Sequence, residues 1–327
     1  MLAEKEQKGP YPNPLLEAFE EAKYVVGHNI LDHDLPVLSR LYKLKVSEEL
    51  VLDTLLLSSL LFPLKPFHAL RKEYIQSPEE AFNPLLDALL VKKLLLECVK
   101  KWDTYAWQLQ ILLWMFLRKE TGLAPFFNLV TIKNKESREA QKEVQQWFQS
   151  HYRSKICFQK PFQEEWKLYK VEWAFLLALF FEEGESDFLP HWIQNKYPAL
   201  DEILKNRRLV SCKNKNCAYC SKILDPKVQL KKYFNYTEFR RFSKEEETPL
   251  QEIVVQSAMD KKSFLAVFPT GGGKSLTFQL PALIAGDLLG ALTVIISPIQ
   301  ALMKDQVDVL SMRHQIDQAV YINSMLS

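Results

Sequence analysis

The residues best suited to chemistry form one short run, Thr270-Gly271-Gly272-Gly273-Lys274-Ser275, which contains three of the chain's nine glycines. Glycine has no Cβ, so this backbone can curl closely around phosphate groups and turn several N–H groups toward them. In such a loop the ammonium of Lys274 reaches the β- and γ-phosphates, and the hydroxyl of Ser275 binds Mg²⁺. The run therefore predicts a binding site for a nucleoside triphosphate and Mg²⁺.

A phosphate loop needs a strand before it and a helix after it, because the positive end of the helix dipole faces the phosphates. Phe264–Phe268 and Leu292–Ile296 are short, apolar and partly β-branched, which is typical of central strands in a parallel sheet. Leu276–Leu283 is compatible with a helix. The expected fold class is α/β, with a parallel-sheet lobe at the C-terminal end of the chain.

The loop and its surroundings resemble the RecQ family of superfamily-two DNA helicases. Pro-Thr-Gly-Gly-Gly-Lys-Ser is the superfamily-two form of the loop, and three further segments are similar to RecQ-family motifs: Leu230–Arg240, Ser275–Leu283 and Ile296–Val307. The resemblance implies a RecA-like lobe, ATP-driven unwinding of DNA in the 3′-to-5′ direction, and catalytic roles for Lys274 and Ser275. Gln251 matches the glutamine that reads adenine in the family, after extra residues at 241–248.

The match stops before other parts that the family uses for catalysis. After Asn323 only four residues follow, with no Asp-Glu-Ala-His box and no second lobe. In phosphoryl transfer most of the rate comes from charges placed around the transition state. We therefore expect a truncated lobe that binds ATP but hydrolyses little of it and unwinds no DNA by itself.

A second resemblance lies near the N-terminus, where Tyr24-Val25-Val26 is a predicted strand. Val25–Leu38, Asp53-Thr54-Leu55 and Phe82–Ala88 are similar to motifs of DnaQ-like 3′–5′ exonucleases. Asp34 and Asp87 match two of the four carboxylates that hold metal ions in that family. No Asp-x-Glu pair occurs before residue 20, and Phe82 stands where the family has a histidine base. The resemblance implies a degenerate or partial RNase H-like fold without nuclease activity.

Three cysteines, Cys212, Cys217 and Cys220, have the spacing C-x4-C-x2-C. Cys217 and Cys220 form a knuckle that suits tetrahedral Zn²⁺, for which Cys157 or His191 would supply the fourth ligand. Because only three ligands are local and a structural site needs four, free thiols in a polar loop are the favoured interpretation, and an iron–sulfur cluster is a further alternative. Five cysteines in a chain of 327 residues do not indicate a disulfide framework.

A basic and aromatic stretch precedes the nucleotide loop. Its basic and aromatic side chains interleave: Lys227, Lys231, Lys232, Tyr233, Phe234, Tyr236, Phe239, Arg240, Arg241 and Phe242. Such a stretch can follow a single DNA strand by contacting phosphates and stacking on bases. The favoured interpretation is an amphipathic helix with buried aromatic rings and solvated lysines.

The remaining sequence defines the organisation of the chain. The net charge is +2, so global charge gives no argument for DNA binding. No apolar run is long enough to span a membrane, and no signal peptide is present, so a cytoplasmic location is expected.

Residues 104–223 hold six of the seven tryptophans and have helical patterns at Trp107–Leu117 and Trp173–Phe181. Pro84–Trp102 is a further predicted helix.

The sequence thus predicts three domains and leaves three functions open. The domains are an exonuclease-like domain at 1–103, a helical connector with the cysteine knuckle at 104–223, and the start of a helicase lobe at 224–327. The preferred function is an ATP-dependent DNA helicase. The alternatives are a non-motor P-loop protein that uses the nucleotide as a regulatory switch, and a DNA 3′–5′ exonuclease whose helicase portion recruits DNA.

Overall fold

A computed structural model of the chain describes residues 14–43, 45–70, 84–132, 138–159, 163–182 and 189–323. This part of the chain is mostly helical and contains one small parallel sheet of two strands. It divides into two compact units. The first unit takes its described residues from 14–147, 165–182 and 189–196, and the second takes them from 148–159, 163–164 and 197–323.

The first unit combines the small sheet with most of the first ten helices. Strands β1 (Val25–Gly27) and β2 (Val51–Asp53) are parallel, with Val25 beside Val51. Helices α7 and α8 contribute residues to both units. The ten helices are α1 (Pro14–Glu21), α2 (Asp34–Tyr42), α3 (Thr54–Leu61), α4 (Pro84–Asp103), α5 (Trp107–Leu117), α6 (Ala124–Leu129), α7 (Arg138–Tyr152), α8 (Gln163–Leu168), α9 (Lys170–Phe181) and α10 (His191–Lys196).

Apolar helices form the core of the first unit. Helices α5 and α9 pack against each other, and every residue from Trp173 to Phe180 is buried. A helix that is apolar on all sides gains stability only when other elements surround it, which is the position of α9. The predicted helices at Pro84–Trp102, Trp107–Leu117 and Trp173–Phe181 and the strand at Val25-Val26 are confirmed.

A buried carboxylate organises the end of the small sheet. Asp53 is 2% exposed, and its side chain accepts hydrogen bonds from the backbone N–H groups of Asn29, Leu31 and Leu55, at 3.0, 3.4 and 2.9 Å. The bond from Leu55 caps the N-terminus of α3, where unpaired N–H groups need an acceptor. Asp53 therefore has a structural role, joining the turn after β1 to the start of α3.

The second unit is helical and carries the predicted nucleotide loop directly before one of its helices. Its core includes Leu230, Phe234, Val255 and Leu280, contributed by three helices that pack together. Two π-helical turns, Lys205–Leu209 and Val309–Arg313, extend other helices. The helices are α11 (Ala199–Leu204), α12 (Cys220–Ile223), α13 (Pro226–Phe234), α14 (Leu250–Met259), α15 (Lys274–Leu289) and α16 (Gln300–Asp308).

The predicted parallel sheet of this unit is not formed in the described residues. Phe264–Phe268 and Leu292–Ile296 do not pair with a strand there, and the side chains of Leu265 and Ile296 are 91% and 92% exposed. A β-branched, apolar sequence favours extended backbone, but a strand also needs a neighbour to share its N–H and C=O groups. The prediction of an α/β lobe was therefore wrong for these two segments.

Candidate functional site

The nucleotide loop adopts a backbone that glycine alone accepts easily. Gly271 and Gly273 have φ angles of +72° and +70°, in the left-handed region. A Cβ at Gly272 would lie 2.8 Å from the carbonyl oxygen of Pro269, and one at Gly273 would lie 2.3 Å from Nε2 of Gln251. The N–H of Gly272 also donates to the Pro269 oxygen at 3.0 Å. The loop is thus a tight turn that side chains would force open.

Gln251 holds this turn from the neighbouring helix α14. Its side chain is buried, and Nε2 donates to the carbonyl oxygens of Gly272 and Gly273, both at 3.2 Å. Its Oε1 accepts the backbone N–H of Arg240 at 2.8 Å. The guanidinium of Arg240 in turn donates to the carbonyl oxygen of Gly271. The residues at 241–248 therefore do not prevent the contact between Arg240, Gln251 and the loop.

Lys274 and Ser275 stand at the N-terminus of α15, as the sequence predicted. The side chain of Lys274 is exposed and forms no ion pair with the residues that the structure describes. Ser275 is half-buried, and its Oγ accepts a hydrogen bond from Nε2 of Gln306 at 2.9 Å. A cation at the start of a helix, beside backbone N–H groups, is suited to phosphate.

Two glutamines that the sequence did not single out complete this site. Gln306, in α16, donates to Ser275 and accepts from Nε2 of Gln279 at 2.7 Å. Because Oε1 of Gln306 accepts from Gln279, its Nε2 faces the hydroxyl of Ser275. Gln306 lies inside the segment Ile296–Val307, whose resemblance was the available signal, but nothing in its spacing pointed to Ser275.

The hydroxyl oxygen of Ser275 is a suitable ligand for a Mg²⁺ ion. A serine hydroxyl has two lone pairs and one proton, and Gln306 uses one lone pair. The other lone pair is then suited to a hard cation, which prefers oxygen ligands. Thr270, the remaining residue of the predicted nucleotide-binding set, is exposed at the start of the loop.

The cysteine cluster is the second site that the structure assembles. Cys212, Cys217 and Cys220 meet Cys157, and the four Sγ atoms lie within 4.8 Å of one another. Cys157, and not His191, is therefore the fourth member. Burial alone would raise the pKa of the Cys217 thiol, but N–H groups of Cys220 and Tyr219 and the neighbouring thiols outweigh burial, so this pKa is lowered. Chemically, the cluster could bind Zn²⁺.

The two exonuclease-like carboxylates do not form a comparable site. Asp34 is the first residue of α2 and its side chain is 51% exposed, while Asp87 lies half-buried in the first turn of α4. Within the described ranges, the four cysteines are the only group of three or more metal-ligating side chains that converge. Phe82, at the predicted base position, lies outside the described residues.

The basic and aromatic stretch is largely used within the second unit. Phe234 and Phe239 are buried in its core. Lys232 pairs with Asp287 at 2.8 Å, Lys227 pairs with Glu252 at 3.4 Å, and Arg241 donates to the carbonyl oxygen of Glu246. These contacts favour the amphipathic-helix interpretation over a track for single-stranded DNA. Tyr236 and Phe242 remain partly exposed.

Comparison with known proteins places the nucleotide loop in a known family model. Residues 248–325 match the model for DEAD/DEAH box helicases. The chain is 37% identical over 98 residues to a probable ATP-dependent DNA helicase RecS of Bacillus subtilis, covering 30% of the chain and 17% of that protein. It is 45% identical over 74 residues to the ATP-dependent DNA helicase RecQ of Synechocystis, covering 23% and 14%.

A third relative, the ATP-dependent DNA helicase RecQ of Haemophilus influenzae, is 43% identical over 81 residues, or 25% of the chain and 11% of that protein. The chain thus spans less than a fifth of the length of each of these relatives. No solved structure gives a significant match. The relation to RecQ-like helicases is confirmed for the C-terminal part of the chain. The exonuclease resemblance of residues 1–103 gains no support and stays a prediction.

Among the described helices, none is long and apolar enough to cross a membrane.

Proposed function

We propose that residues 224–327 are the nucleotide-binding part of a RecQ-like, ATP-dependent DNA helicase, and that they bind ATP with Mg²⁺. The observation that carries the proposal is the loop at Gly271–Gly273, held by Gln251 in a left-handed turn directly before Lys274. Such a loop, opening a helix, is a ready-made site for phosphate. The relatives from Synechocystis and Haemophilus influenzae named above are ATP-dependent DNA helicases, which supports this choice of ligand and partner.

The residues of the site have separate roles in this proposal. The backbone of Thr270 and of Gly271–Gly273 surrounds the phosphates, and Lys274 neutralises the charge of the β- and γ-phosphates. Ser275 would hold Mg²⁺, which neutralises charge that develops on the phosphate oxygens when it is bound. Gln306 keeps the Ser275 hydroxyl in one orientation by donating to it. Gln251 holds the loop and lies where the family reads adenine.

Nucleotide binding is the direct test. The full chain is titrated with a fluorescent ATP analogue in the presence of Mg²⁺, beside Lys274→Ala. Removing a charge-assisted contact costs about 1.5 kcal/mol or more, so Kd should rise about tenfold or more. Lys262→Ala is the matched control, because Lys262 is also an exposed lysine of the second unit. Equal affinity of Lys274→Ala and the unchanged chain would refute the proposed site.

A second experiment separates a motor from a regulatory P-loop protein. ATP hydrolysis is measured with and without single-stranded DNA, using this segment together with whatever sequence follows it in its reading frame. Turnover that DNA stimulates and that Lys274→Ala abolishes supports the helicase. ATP binding without DNA-stimulated turnover would overturn the helicase and support the regulatory alternative.

A further inference from the structure

The four cysteines come from two separate parts of the second unit. Cys157 precedes α8, whereas the other three lie together at 212–220. Cys157, Cys217 and Cys220 are buried, and Cys212 is half-buried. All four are free thiols. Local sequence spacing explains why three of them are close, but the arrival of Cys157 is a property of the fold.

The distances between the sulfurs match coordination of a single ion. With Zn–S bonds of about 2.3 Å, the sulfurs at the corners of a tetrahedron are separated by about 3.8 Å. The Sγ atoms of Cys157 and Cys217 are 3.8 Å apart, and no pair in the cluster exceeds 4.8 Å. In a four-iron cluster each thiolate binds a different iron, which holds the sulfurs further apart. The geometry therefore favours one mononuclear ion.

The backbone around Cys217 and Cys220 is already shaped as a metal knuckle. The N–H of Cys217 donates to the carbonyl oxygen of Asn214 at 3.0 Å, which closes the turn before it. The N–H of Cys220 points at Sγ of Cys217 at 3.5 Å. Hydrogen bonds from the backbone to a thiolate orient it and stabilise its negative charge when it binds a metal. Helix α12 then begins at Cys220, which fixes the direction of that side chain.

Two buried arginines contact the segments that carry the cysteines. Arg207 and Arg208 are only 1% and 5% exposed. Cys157 and Arg207 exchange backbone and side-chain hydrogen bonds, and the carbonyl oxygen of Arg208 accepts from the hydroxyl of Tyr219. Both arginines therefore belong to the segment that links Cys157 to the knuckle.

We propose that Cys157, Cys212, Cys217 and Cys220 bind one structural Zn²⁺ ion. All four ligands come from the protein, so the coordination sphere is closed and the site has no open position for catalysis. The cluster is part of the same core as Leu230, Phe234, Val255 and Leu280. Zinc would therefore stabilise the helices that support the nucleotide loop, and it would join the segment around Cys157 to them.

The metal content of the purified full chain is the first test. Elemental analysis should find about one zinc per chain, and Co²⁺ substitution should give the absorption of a tetrahedral tetrathiolate site. Cys157→Ser should reduce bound zinc several-fold, although Cys157 lies far from the knuckle in sequence. Cys98→Ser is the matched control, because Cys98 is a buried free cysteine of the first unit and should leave the zinc content unchanged.

Metal removal tests the structural role without a substitution. A zinc chelator should accelerate amide hydrogen exchange in α12 to α15, while the tryptophan-detected melting of the first unit stays unchanged. Three results would each overturn the proposal. They are a Cys157→Ser variant that retains its zinc, a purified chain that contains no zinc, and a purified chain that contains iron with acid-labile sulfide. Lys274→Ala should keep its zinc, so this result and the failure of the nucleotide site are distinguishable.

Discussion

Gln251 offers the sharpest test of how the nucleotide loop is held. In Gln251→Ala the carbonyl oxygens of Gly272 and Gly273 and the N–H of Arg240 all lose their partner. At a net value of about 1 kcal/mol for each hydrogen bond, local stability should fall by about 3 kcal/mol. That difference corresponds to a more than ~100-fold increase in the local opening equilibrium.

Amide hydrogen exchange is the appropriate assay, because it reports local opening of α14, the loop and α15. Tryptophan emission would miss the effect, since all seven tryptophans belong to the first unit. This emission serves instead as an internal control that should not change. Gln256→Ala is the matched variant, because Gln256 lies on the same helix but makes a single hydrogen bond to Asp260 at 3.0 Å.

The isosteric variant Gln251→Glu adds a pH signature. The new carboxyl must be protonated to donate its one O–H to either carbonyl oxygen, so its pKa in the folded chain is raised. A raised pKa means that stability is present at low pH, below about 4.3, and is lost as pH rises through the folded pKa. Two results would refute the locking role. One is that the protection factors in α14 and α15 are the same in Gln251→Ala as in the unchanged chain. The other is that these protection factors do not depend on pH in Gln251→Glu.

Three further predictions concern other parts of the chain. Asp53→Ala removes the acceptor for three backbone N–H groups, so urea unfolding detected by tryptophan emission should show a loss of about 2–3 kcal/mol, whereas the exposed Asp103→Ala should show little change. Burial, helped by Lys65, lowers the pKa of His68 to about 4, and burial also lowers the pKa of His28. The unfolded chain therefore binds protons more readily than the folded chain does. The melting temperature of the first unit should fall as the pH is lowered from about 6.5 to 4, and His68→Gln should flatten this dependence. An unchanged slope in His68→Gln would contradict the prediction. Val294→Lys and Ile296→Lys replace residues that are 74% and 92% exposed. These variants should therefore leave the free energy of unfolding unchanged and reduce self-association measured by light scattering. A large loss of stability would show instead that these segments are paired.

Local patterns predicted the helices well because helix formation depends on residues a few positions apart. The apolar run Trp107–Leu117 has the bounds of α5, and the loop, Lys274 and Ser275 lie where the sequence placed them. The strands Phe264–Phe268 and Leu292–Ile296 were mispredicted because a strand requires a partner that its own sequence does not specify. The same limit applies to Cys157. Spacing identified the knuckle, but two distant residues were equally able to complete it until the fold selected one.

The hydrogen bonds of Gln251 also limit how it can recognise adenine. A glutamine that reads adenine bidentately uses Nε2 for N7 and Oε1 for the N6 amino group. Here Nε2 already donates to two loop carbonyl oxygens, and Oε1 accepts from Arg240, which leaves one lone pair on Oε1. That lone pair can accept from the adenine amino group but repels the carbonyl oxygen of guanine.

A single hydrogen bond predicts that ATP binds about fivefold more tightly than GTP, at about 1 kcal/mol, and that Gln251→Ala removes the preference. Competition between the two nucleotides for the fluorescent analogue measures this ratio. Equal affinities in the unchanged chain would contradict adenine recognition by Gln251. A preference well above a hundredfold would instead require both amide groups to face the base, and the amide would then have to release the carbonyl oxygens of Gly272 and Gly273.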